Sequence, residues 1–447
     1  MRTLTLLLLF VFNISVFAQK TMSEADIDKI SYEQFQNKQF KELKETVKDA
    51  TKNGIDFYYL RLRAGILAYN KKKYEYAITQ FKKALEFYPA DSLSKEYLYY
   101  SYLFSSRKET ARDFASKQSK DFQHKVGYKK NPFDFIGIDG GAMLTNNVSS
   151  NKTKSFKQGT NPGKAERNLN GNLYFGDIFF QNTVKSRLHI INSFSVFSTS
   201  SLYQIEVLMP SSQVFKAEKE FVNLNFQYNL GLSYVTKKEW TVALGFGYYR
   251  AKGNTFTALE PDILNNRIPI LQDTTKINSF LGSVTISKRC KYVQPFLQVS
   301  ASNLNALTQI QTEAGLTYFP LGNYNFYGTT TGSFLRNGNN NQYVIGQIIG
   351  FKLLNWWWNE IRFNYGNLSN YQMNNGLLTY NTSDPIKLLT GIDFNFYIKK
   401  HAQLSVNYTL QQRERTTEQY AVLGVNSGTQ KNNYYNHLIK TSLLWNF

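Results

Sequence analysis

Apolar and polar residues alternate with a period of two along most of the chain after Phe133. The clearest run extends from Val222 to Tyr234, where seven apolar residues alternate with six Asn, Gln, Gly or Ser residues. Because successive side chains of a strand point to opposite faces, this pattern predicts strands with one apolar and one polar face. The run is longer than a typical globular strand of about 5–6 residues. It is long enough to cross a bilayer, which takes roughly 9–11 residues of a tilted strand.

Fourteen segments of this kind are predicted as strands. They lie near residues 133–145, 168–180, 187–199, 221–236, 239–251, 277–288, 291–301, 307–319, 323–334, 342–353, 357–366, 386–398, 401–413 and 434–447. An even number of strands, with short turns at one end and longer loops at the other, is typical of bacterial outer-membrane β-barrels. The links after strands 2, 4, 6, 8, 10 and 12 are short, whereas those after strands 1, 3, 5, 11 and 13 are long and polar, and only those after strands 7 and 9 are short exceptions at that end. This parity predicts that both chain ends lie in the periplasm.

The chain ends in a strand whose last apolar residues still alternate, with Leu443, Trp445 and Phe447 on one face. An apolar strand at a terminus is an exposed edge unless another strand pairs with it. Closure of a barrel covers this edge with the first strand and leaves the apolar face to lipid. The alternating aromatic ending also resembles the signal by which the barrel-assembly machinery recognises its clients. The alternative is a secreted soluble β-sandwich.

Before the strands, residues 20–125 follow the helical period. Apolar residues recur at spacings of three and four from Tyr74 to Tyr88, and a proline ends the pattern. The stretch resembles a tetratricopeptide (TPR) repeat, and Arg61 stands where that family usually has tryptophan. Shifts of 34 residues, the TPR period, extend the pattern to three repeats near 24–57, 58–91 and 92–125. Such repeats stack into a concave binding surface. The matching packing positions are Gly65, Ala77, Phe81, Ala84 and Pro89.

The first residues predict export. Arg2 precedes an apolar stretch, and the residues up to Ala18 have the small-residue pattern of a signal-peptide cleavage site. The apolar stretch is too short for a transmembrane helix, so a membrane anchor is the weaker alternative. The predicted fold class is therefore α + β and multidomain, in the outer membrane of a Gram-negative-type envelope. It comprises a signal peptide at 1–18, a TPR-like periplasmic helical domain at 20–125, a linker at 126–132 and an antiparallel transmembrane β-barrel of about fourteen strands at 133–447.

Composition narrows the class of partner. The 447 residues include 34 Phe, 31 Tyr and 5 Trp, and such aromatic enrichment without long apolar runs suits strands whose two faces meet different solvents. The net charge is +20, which alone does not choose between nucleic acid, an anionic polymer and lipid head groups. Export excludes nucleic acid as a partner. The single cysteine, Cys290, excludes an internal disulfide.

The sequence contains no convincing catalytic, metal-binding or cofactor-binding motif. It has no nucleophile elbow or phosphate-binding glycine loop, and its four histidines are scattered. We therefore predict a non-enzymatic protein without a cofactor. Gly245 and Gly247 are predicted to ease strand curvature. The run 355–358, Asn-Trp-Trp-Trp, is predicted as an interfacial aromatic girdle, with a sugar-stacking platform as the alternative.

Ionisable residues on the inward faces of the strands are the more pointed functional signal. If Ile361 and Phe363 face lipid, their neighbours Glu360 and Arg362 face the lumen. Such charges either pair with one another and plug the lumen or line a wet path for a polar solute. The plugged or structural alternative is favoured, because strands 11 and 12 carry opposite charges. The candidate lumen-lining residues are Arg187, His189, Glu313, Glu360, Arg362, Asp393 and Lys440.

A TPR domain followed by a barrel looks like the outer-membrane exporters of exopolysaccharides and related barrel proteins, although those exporters usually have more repeats and a larger barrel. The resemblance implies that the repeats recruit a periplasmic protein or an acidic polymer. Arg61, Arg63 and Lys73 are the candidate partner surface. The barrel would then anchor the repeats in outer-membrane lipid and aid passage of a polymer. The alternatives are a passive diffusion channel for small polar solutes and, less favoured, an outer-membrane lipid-modifying enzyme.

Overall fold

The computed structural model describes residues 22–152, 163–381, 384–399, 401–422 and 425–447. The predicted signal peptide at 1–18 lies outside these ranges. The chain divides into two compact units. The first unit runs up to Arg107 and includes Ser119–Val126, and the second comprises Lys108–Gln118 and Gly127–Phe447. Residues 108–118 thus belong with the strands, whereas the sequence placed them in the helical domain.

Seven helices precede the first strand in the part of the chain that the structure describes. Their bounds are α1 Glu24–Gln36, α2 Phe40–Lys52, α3 Tyr58–Asn70, α4 Tyr74–Phe87, α5 Ser92–Phe104, α6 Lys108–Ser116 and α7 Lys120–Lys125. Helix starts recur every 34 residues, at 24, 58 and 92 for one series and at 40, 74 and 108 for the other. The helical character of this region is confirmed, and its classification as TPR stays a prediction.

Close packing between α3 and α4 explains the small residues at their interface. A Cβ at Gly65 would lie 2.6 Å from the ring of Phe81, so only glycine lets this ring approach α3. Ala77, Phe81 and Ala84 are completely buried. Pro89 is exposed and follows the end of α4.

The structure corrects the expectation that Arg61 and Arg63 are exposed. Arg61 is 8% exposed; its guanidinium donates to Asp56 Oδ1 at 2.6 Å and to Gln80 Oε1 at 2.8 Å. The guanidinium of Arg63 donates to Asp28 Oδ1 at 2.6 Å, and its side chain is 14% exposed. Both arginines therefore stabilise the helical unit itself. Lys73 is exposed, as expected.

Fourteen antiparallel strands form a closed barrel, which confirms the predicted number. Each strand pairs with its neighbours along the barrel, and the last strand pairs with the first. The barrel strands are β1 Phe133–Thr145, β2 Gly163–Lys185, β3 Leu188–Leu208, β4 Val214–Val235, β5 Trp240–Ala258, β6 Ile270–Lys288, β7 Val293–Ser302, β8 Gln309–Tyr318, β9 Phe326–Asn337, β10 Asn340–Leu354, β11 Trp357–Gly366, β14 Ile386–Tyr397, β15 Ala402–Val422 and β16 Val425–Asn446. Between β11 and β14 lie two short paired strands, β12 Tyr371–Met373 and β13 Leu378–Tyr380. A short helix, α8 Asn147–Asn151, follows β1.

The outward faces of the strands are apolar and exposed, as a lipid-facing belt requires. Phe280, Val222 and Ile345 are half or more exposed although they sit within paired strands. Such a surface is unfavourable in water and favourable in hydrocarbon, and closure satisfies the backbone of every strand. No helix among the described residues is long and apolar enough to cross a membrane.

The C-terminal strand closes the barrel. Trp445 lies opposite Ile136, and Leu443 lies opposite Ile138, in the β1–β16 pairing. Leu443, Trp445 and Phe447 are all about half exposed on the outward face. The sequence-based explanation of the apolar ending therefore agrees with the observed pairing.

Two of the predicted polar loops are strand instead. The segments after strands 3 and 13 are predicted to be long loops. In the structure, β3 continues to Leu208 and β4 already begins at Val214. In the same way β15 continues to Val422 and β16 begins at Val425. These strands extend beyond the length that crosses a bilayer, about 9–11 residues.

Candidate functional site in the barrel lumen

The connection between β11 and β14 folds into the barrel. We call residues 367–381 and 384–385 the lumen hairpin. Its arms are β12 and β13, and its tip is the run Asn374-Asn375-Gly376, with φ values of 52°, 58° and 81°. Asparagine and glycine tolerate this left-handed region better than other residues, which explains the tip sequence. The alternation and link lengths predict an outer loop for this segment, and the structure shows instead that it runs inward.

The tip of the lumen hairpin is bonded to β4, β5 and β6. Ser283 Oγ donates to the Asn375 carbonyl at 2.6 Å, and Thr285 Oγ1 donates to Asn375 Oδ1 at 2.5 Å. The Tyr249 hydroxyl contacts the Gly376 carbonyl at 3.3 Å. Asn229 Nδ2 donates to the Leu377 carbonyl at 3.2 Å. All these wall residues lie on inward faces, so the tip reaches the wall across the lumen from its own attachment at β11 and β14.

The first arm is bonded to β7, β8 and β9. The Tyr371 hydroxyl donates to Glu313 Oε2 at 2.6 Å and also contacts Ser333 Oγ at 2.8 Å. Gln372 accepts from Gln311 Nε2 through its carbonyl at 2.7 Å, and its own side chain donates to Ser302 Oγ at 2.9 Å. Glu313, one of the predicted lumen-lining residues, thus binds the first arm of the hairpin.

An apolar cluster anchors the base of the lumen hairpin. Leu368, Ile386 and Leu389 are completely buried, and the cluster continues through Val344 and Met373. Together with the hydrogen bonds at the tip, this cluster holds the hairpin between its base at β11 and β14 and the wall at β4–β6. Part of the lumen in the described structure is therefore occupied by the chain itself.

Gly245 provides the space for the hairpin tip. A Cβ at this position would overlap the carbonyl oxygen of Asn375, which is backbone and has little freedom to move. The prediction for Gly245 from the sequence is strand curvature. Its role in the structure is instead close approach between the wall and the hairpin, the second reason for which strands contain glycine.

Predicted lumen residues on β11 and β14 form one ion network. Arg362 Nη2 donates to Glu360 Oε1 at 2.7 Å and to Asp393 Oδ2 at 3.1 Å. Asn407 Nδ2 donates to the other carboxylate oxygen of Asp393 at 2.8 Å. The Tyr327 hydroxyl donates to Glu360. The structure thus brings Glu360, Arg362 and Asp393 together, and it does so by direct pairing across neighbouring strands.

Lys440 takes part in a separate ion pair. Its ammonium group lies 2.8 Å from Asp139 Oδ2 on β1. Asp139 faces Asp177 in the β1–β2 register. Asp177 Oδ1 accepts hydrogen bonds from Ser193 and Ser195, both at 2.9 Å. Neither aspartate was singled out from the sequence, although their inward parity on β1 and β2 was available.

Helix α6 is bonded to the end of the barrel that carries the short turns. Arg112 donates to Asp134 at the start of β1 and to Thr183 Oγ1 at 3.1 Å. His189 Nδ1 lies 3.3 Å from Asp134 Oδ2, which also accepts from Thr183 at 2.5 Å. Predicted lumen residue His189 thus belongs to a polar cluster at this barrel end rather than to an open lumen wall.

Arg187 attaches the same helix to the β2–β3 turn. Its guanidinium donates to Asp113 Oδ2 at 2.9 Å and to the Thr236 carbonyl at 2.9 Å. Burial alone would raise the pKa of Asp113, but hydrogen bonds from Lys117 and Arg187 outweigh it and hold that pKa below its ordinary value. Asp113 therefore stays ionised while α6 is docked.

The tryptophan run at 355–358 divides between two environments. Trp356 is half exposed and stacks on Trp357, as an interfacial girdle requires. Trp358 instead stacks on the ring of Tyr327, with centroids 5.9 Å apart, on the inward side of the wall. The girdle prediction thus fails for Trp358, whose side chain follows the alternation of β11.

Comparisons with known proteins found likeness in architecture only. No protein-family model and no curated protein matches the chain. A Pseudomonas aeruginosa FadL homologue is 10% identical, with a TM-score of 0.42 over 78% of this chain and 94% of that one. The Ralstonia pickettii toluene transporter TbuX is 10% identical, with a TM-score of 0.44 over 71% and 90%. A mutant of the monoaromatic hydrocarbon channel TodX is 7% identical, with a TM-score of 0.43 over 72% and 92%. At these scores, any function has to be argued from this chain's own residues.

Proposed function

We propose that this protein is a gated outer-membrane transport barrel, in which the lumen hairpin is the gate. The observation that carries the proposal is the seating of residues 370–379 against inward side chains of six strands, β4 to β9. A barrel that only anchors another domain needs no such element.

The way in which the hairpin is held suits a movable element. Beyond the apolar cluster at its base, it joins the wall through side-chain hydrogen bonds, and its two strands of three residues pair only with each other. The backbone ladder between β11 and β14 is complete without it. Unseating the hairpin therefore breaks individual contacts, each worth about 0.5–1.5 kcal/mol net, and leaves the barrel wall intact.

The outer membrane is the compartment that best fits the barrel. Closed barrels with an outward apolar belt are one of the two architectures that satisfy backbone hydrogen bonds in lipid. The short turns at one barrel end support the proposal that this end, with both termini, lies in the periplasm. Outer-membrane lipids and the barrel-assembly machinery are then the partners in place and in biogenesis.

Recruitment by the helical unit is a second proposal with its own observation. Tyr32 and Tyr59 are half exposed on different helices, and the Arg63 guanidinium lies 5.2 Å and 5.5 Å from their ring centroids. An exposed aromatic surface of this kind suits a periplasmic protein partner. Lys73 remains the exposed basic candidate for an acidic polymer. Polymer passage is less favoured, because the seated hairpin obstructs the lumen.

A reversible cross-link tests the gate. In full-length protein with Cys290→Ser, the pair Thr285→Cys and Asn375→Cys joins two positions whose polar atoms lie 2.5 Å apart. We expect the oxidised protein to be closed in planar bilayers and the reduced protein to conduct, because reduction leaves the tip without the bond between the side chains of residues 285 and 375. Each single-cysteine variant serves as the control and should not respond to oxidation. Equal conductance of the oxidised and reduced pair would refute the gate.

A further inference from the structure

The wall formed by β16, β1, β2 and β3 is more accessible than the wall that holds the lumen hairpin. Wall residues that meet the hairpin, such as Asn229 and Gln311, are 1% exposed. Phe175, Asp177 and Phe179 on β2 also face inward, yet they keep intermediate exposure. On the hairpin, Leu378 is 37% exposed. The side of the lumen along β16 to β3 therefore retains accessible surface while the hairpin is seated.

Aromatic rings cover much of this accessible wall. Phe175 stacks on Phe197 with ring centroids 6.0 Å apart, and Phe179 lies edge-on to Phe135 at 6.1 Å. Phe175 lies directly over Gly141, where a Cβ would come within 2.7 Å of the ring. Glycine on β1 thus lets the ring lie flat against the backbone. The result is an apolar surface on the inward face of a largely polar lumen.

Two carboxylates interrupt the rings. Asp177 lies between Phe175 and Phe179 on the inward face of β2 and opposite Asp139 on β1. Among the described residues, no cationic side chain lies within ion-pair distance of Asp177, which is held by two serine hydroxyls. Asp139 is one-tenth exposed; Lys440 binds its Oδ2, and its Oδ1 is buried without a hydrogen-bond partner in the described structure. Asp139 Oδ1 is thus an acceptor to which no donor of the described chain is bonded.

The charge of this side of the lumen is negative. Beside the phenylalanine rings, Asp139 and Asp177 give two negative charges when ionised, against the one positive charge of Lys440. Lys440 is already held by Asp139. An entering cation therefore meets one unbalanced negative charge at a wall of the protein, where attraction is less screened than in bulk water.

We propose that the surface formed by Phe175, Phe179, Phe197, Asp139 and Asp177 binds small organic cations that carry an aromatic or branched apolar body. The carboxylates recognise the positive charge, and the phenylalanine faces recognise both the cation and the apolar body. This inference rests on the proposed transport function, for which it names the class of solute. A solute with the ring but a negative charge meets repulsion, and a cation without the ring forgoes the apolar contact.

Calorimetric titration of the full-length protein in detergent tests the site separately from transport. The probes are benzyltrimethylammonium, tetramethylammonium, which lacks the ring, and benzoate, which reverses the charge. We expect benzyltrimethylammonium to bind with a Kd at least about tenfold lower than either other probe. Burial of a phenyl-sized group, which tetramethylammonium lacks, contributes more than one tenfold step in affinity, and the carboxylates repel benzoate. Asp177→Asn and Phe175→Leu should each abolish this preference.

Matched control variants lie outside the site. Asp273→Asn alters an exposed carboxylate on β6, and Phe194→Leu alters a half-exposed outward phenylalanine on β3. Both should keep the preference for benzyltrimethylammonium. Benzoate binding as tightly as benzyltrimethylammonium, or an unchanged preference in Asp177→Asn and Phe175→Leu, would overturn the site. Specific binding without any conductance from the reduced cysteine pair would support the site and overturn the transport function.

Discussion

Gly245→Ala is expected to unseat the lumen hairpin without altering the barrel wall. The added methyl group overlaps the carbonyl oxygen of Asn375, which belongs to the backbone of the hairpin tip. The tip must therefore move away, and the hydrogen bonds from Ser283 and Thr285 to Asn375, at 2.6 Å and 2.5 Å, are lost or lengthened. Two bonds at about 0.5–1.5 kcal/mol each amount to about 1–3 kcal/mol.

This energy sets the expected size of the effect. At about 1.4 kcal/mol per factor of ten, the open population should rise by about 5- to 150-fold. The assay is the open probability of full-length protein in planar bilayers. Gly282→Ala is the matched control, because Gly282 lies on the adjacent strand β6 and a Cβ there meets no atom within 4 Å. If Gly245→Ala and Gly282→Ala conduct equally, the hairpin is not what closes the lumen.

The other predictions concern the belt, helix α6 and the helical unit. Val284→Arg, on the outward face of β6, should impair barrel assembly by about 2–4 kcal/mol if the site is near the bilayer midplane. The control Leu264→Arg, at a 97% exposed loop position, should not impair assembly. Equal yields of heat-modifiable barrel on a gel for the two variants would contradict the lipid-facing belt. The lowered pKa of Asp113 means that its contribution to docking of α6 is complete above the ordinary aspartate pKa, about 3.9, and is lost as pH falls through the lower folded value. The protection factors of the α6 amides in hydrogen exchange, taken relative to the intrinsic rate at each pH, should therefore fall on acidification, and Asp113→Asn should already show lowered protection at neutral pH. Arg61→Ala should lower the stability of the helical unit by about 1.5–3 kcal/mol through its lost charged hydrogen bonds. Lys73→Ala should change this stability by less than about 0.5 kcal/mol. If the two variants have the same urea midpoint in circular dichroism at 222 nm, Arg61 has no structural role.

The strands and their inward charges were predictable because they depend on a local period. Alternation alone places Glu360 and Arg362 on one face, and sequential pairing brings Asp393 beside them. The hairpin itself also has a local signature, since the Asn374-Asn375-Gly376 turn lies between short alternating arms. The inward course of the hairpin has no such local signature, because it depends on Gly245 and Ser283, which are more than 90 residues away from the turn along the chain.

Partner residues at a distance also explain the errors in the helical region. Arginine is usually a surface residue, and the burial of Arg61 is favourable only because Asp56 and Gln80 accept its hydrogen bonds. Arg112 and Asp113 lie within the predicted helical domain, yet they bind Asp134 and Arg187 of the barrel. No short-range pattern reports such pairings, because each depends on the folded positions of two separate segments.

The sequence separation of the hairpin contacts has a consequence for biogenesis. The bonds from the tip and first arm to the wall join residues 70, 92 and 148 positions apart. Contacts between residues this far apart in the sequence form late, because the intervening chain must first be ordered. Strands β4 to β9 thus have to be in register before the hairpin can find its seat. A newly inserted barrel should accordingly pass through a short leaky stage, in which the wall is sealed against lipid while the lumen is still unobstructed.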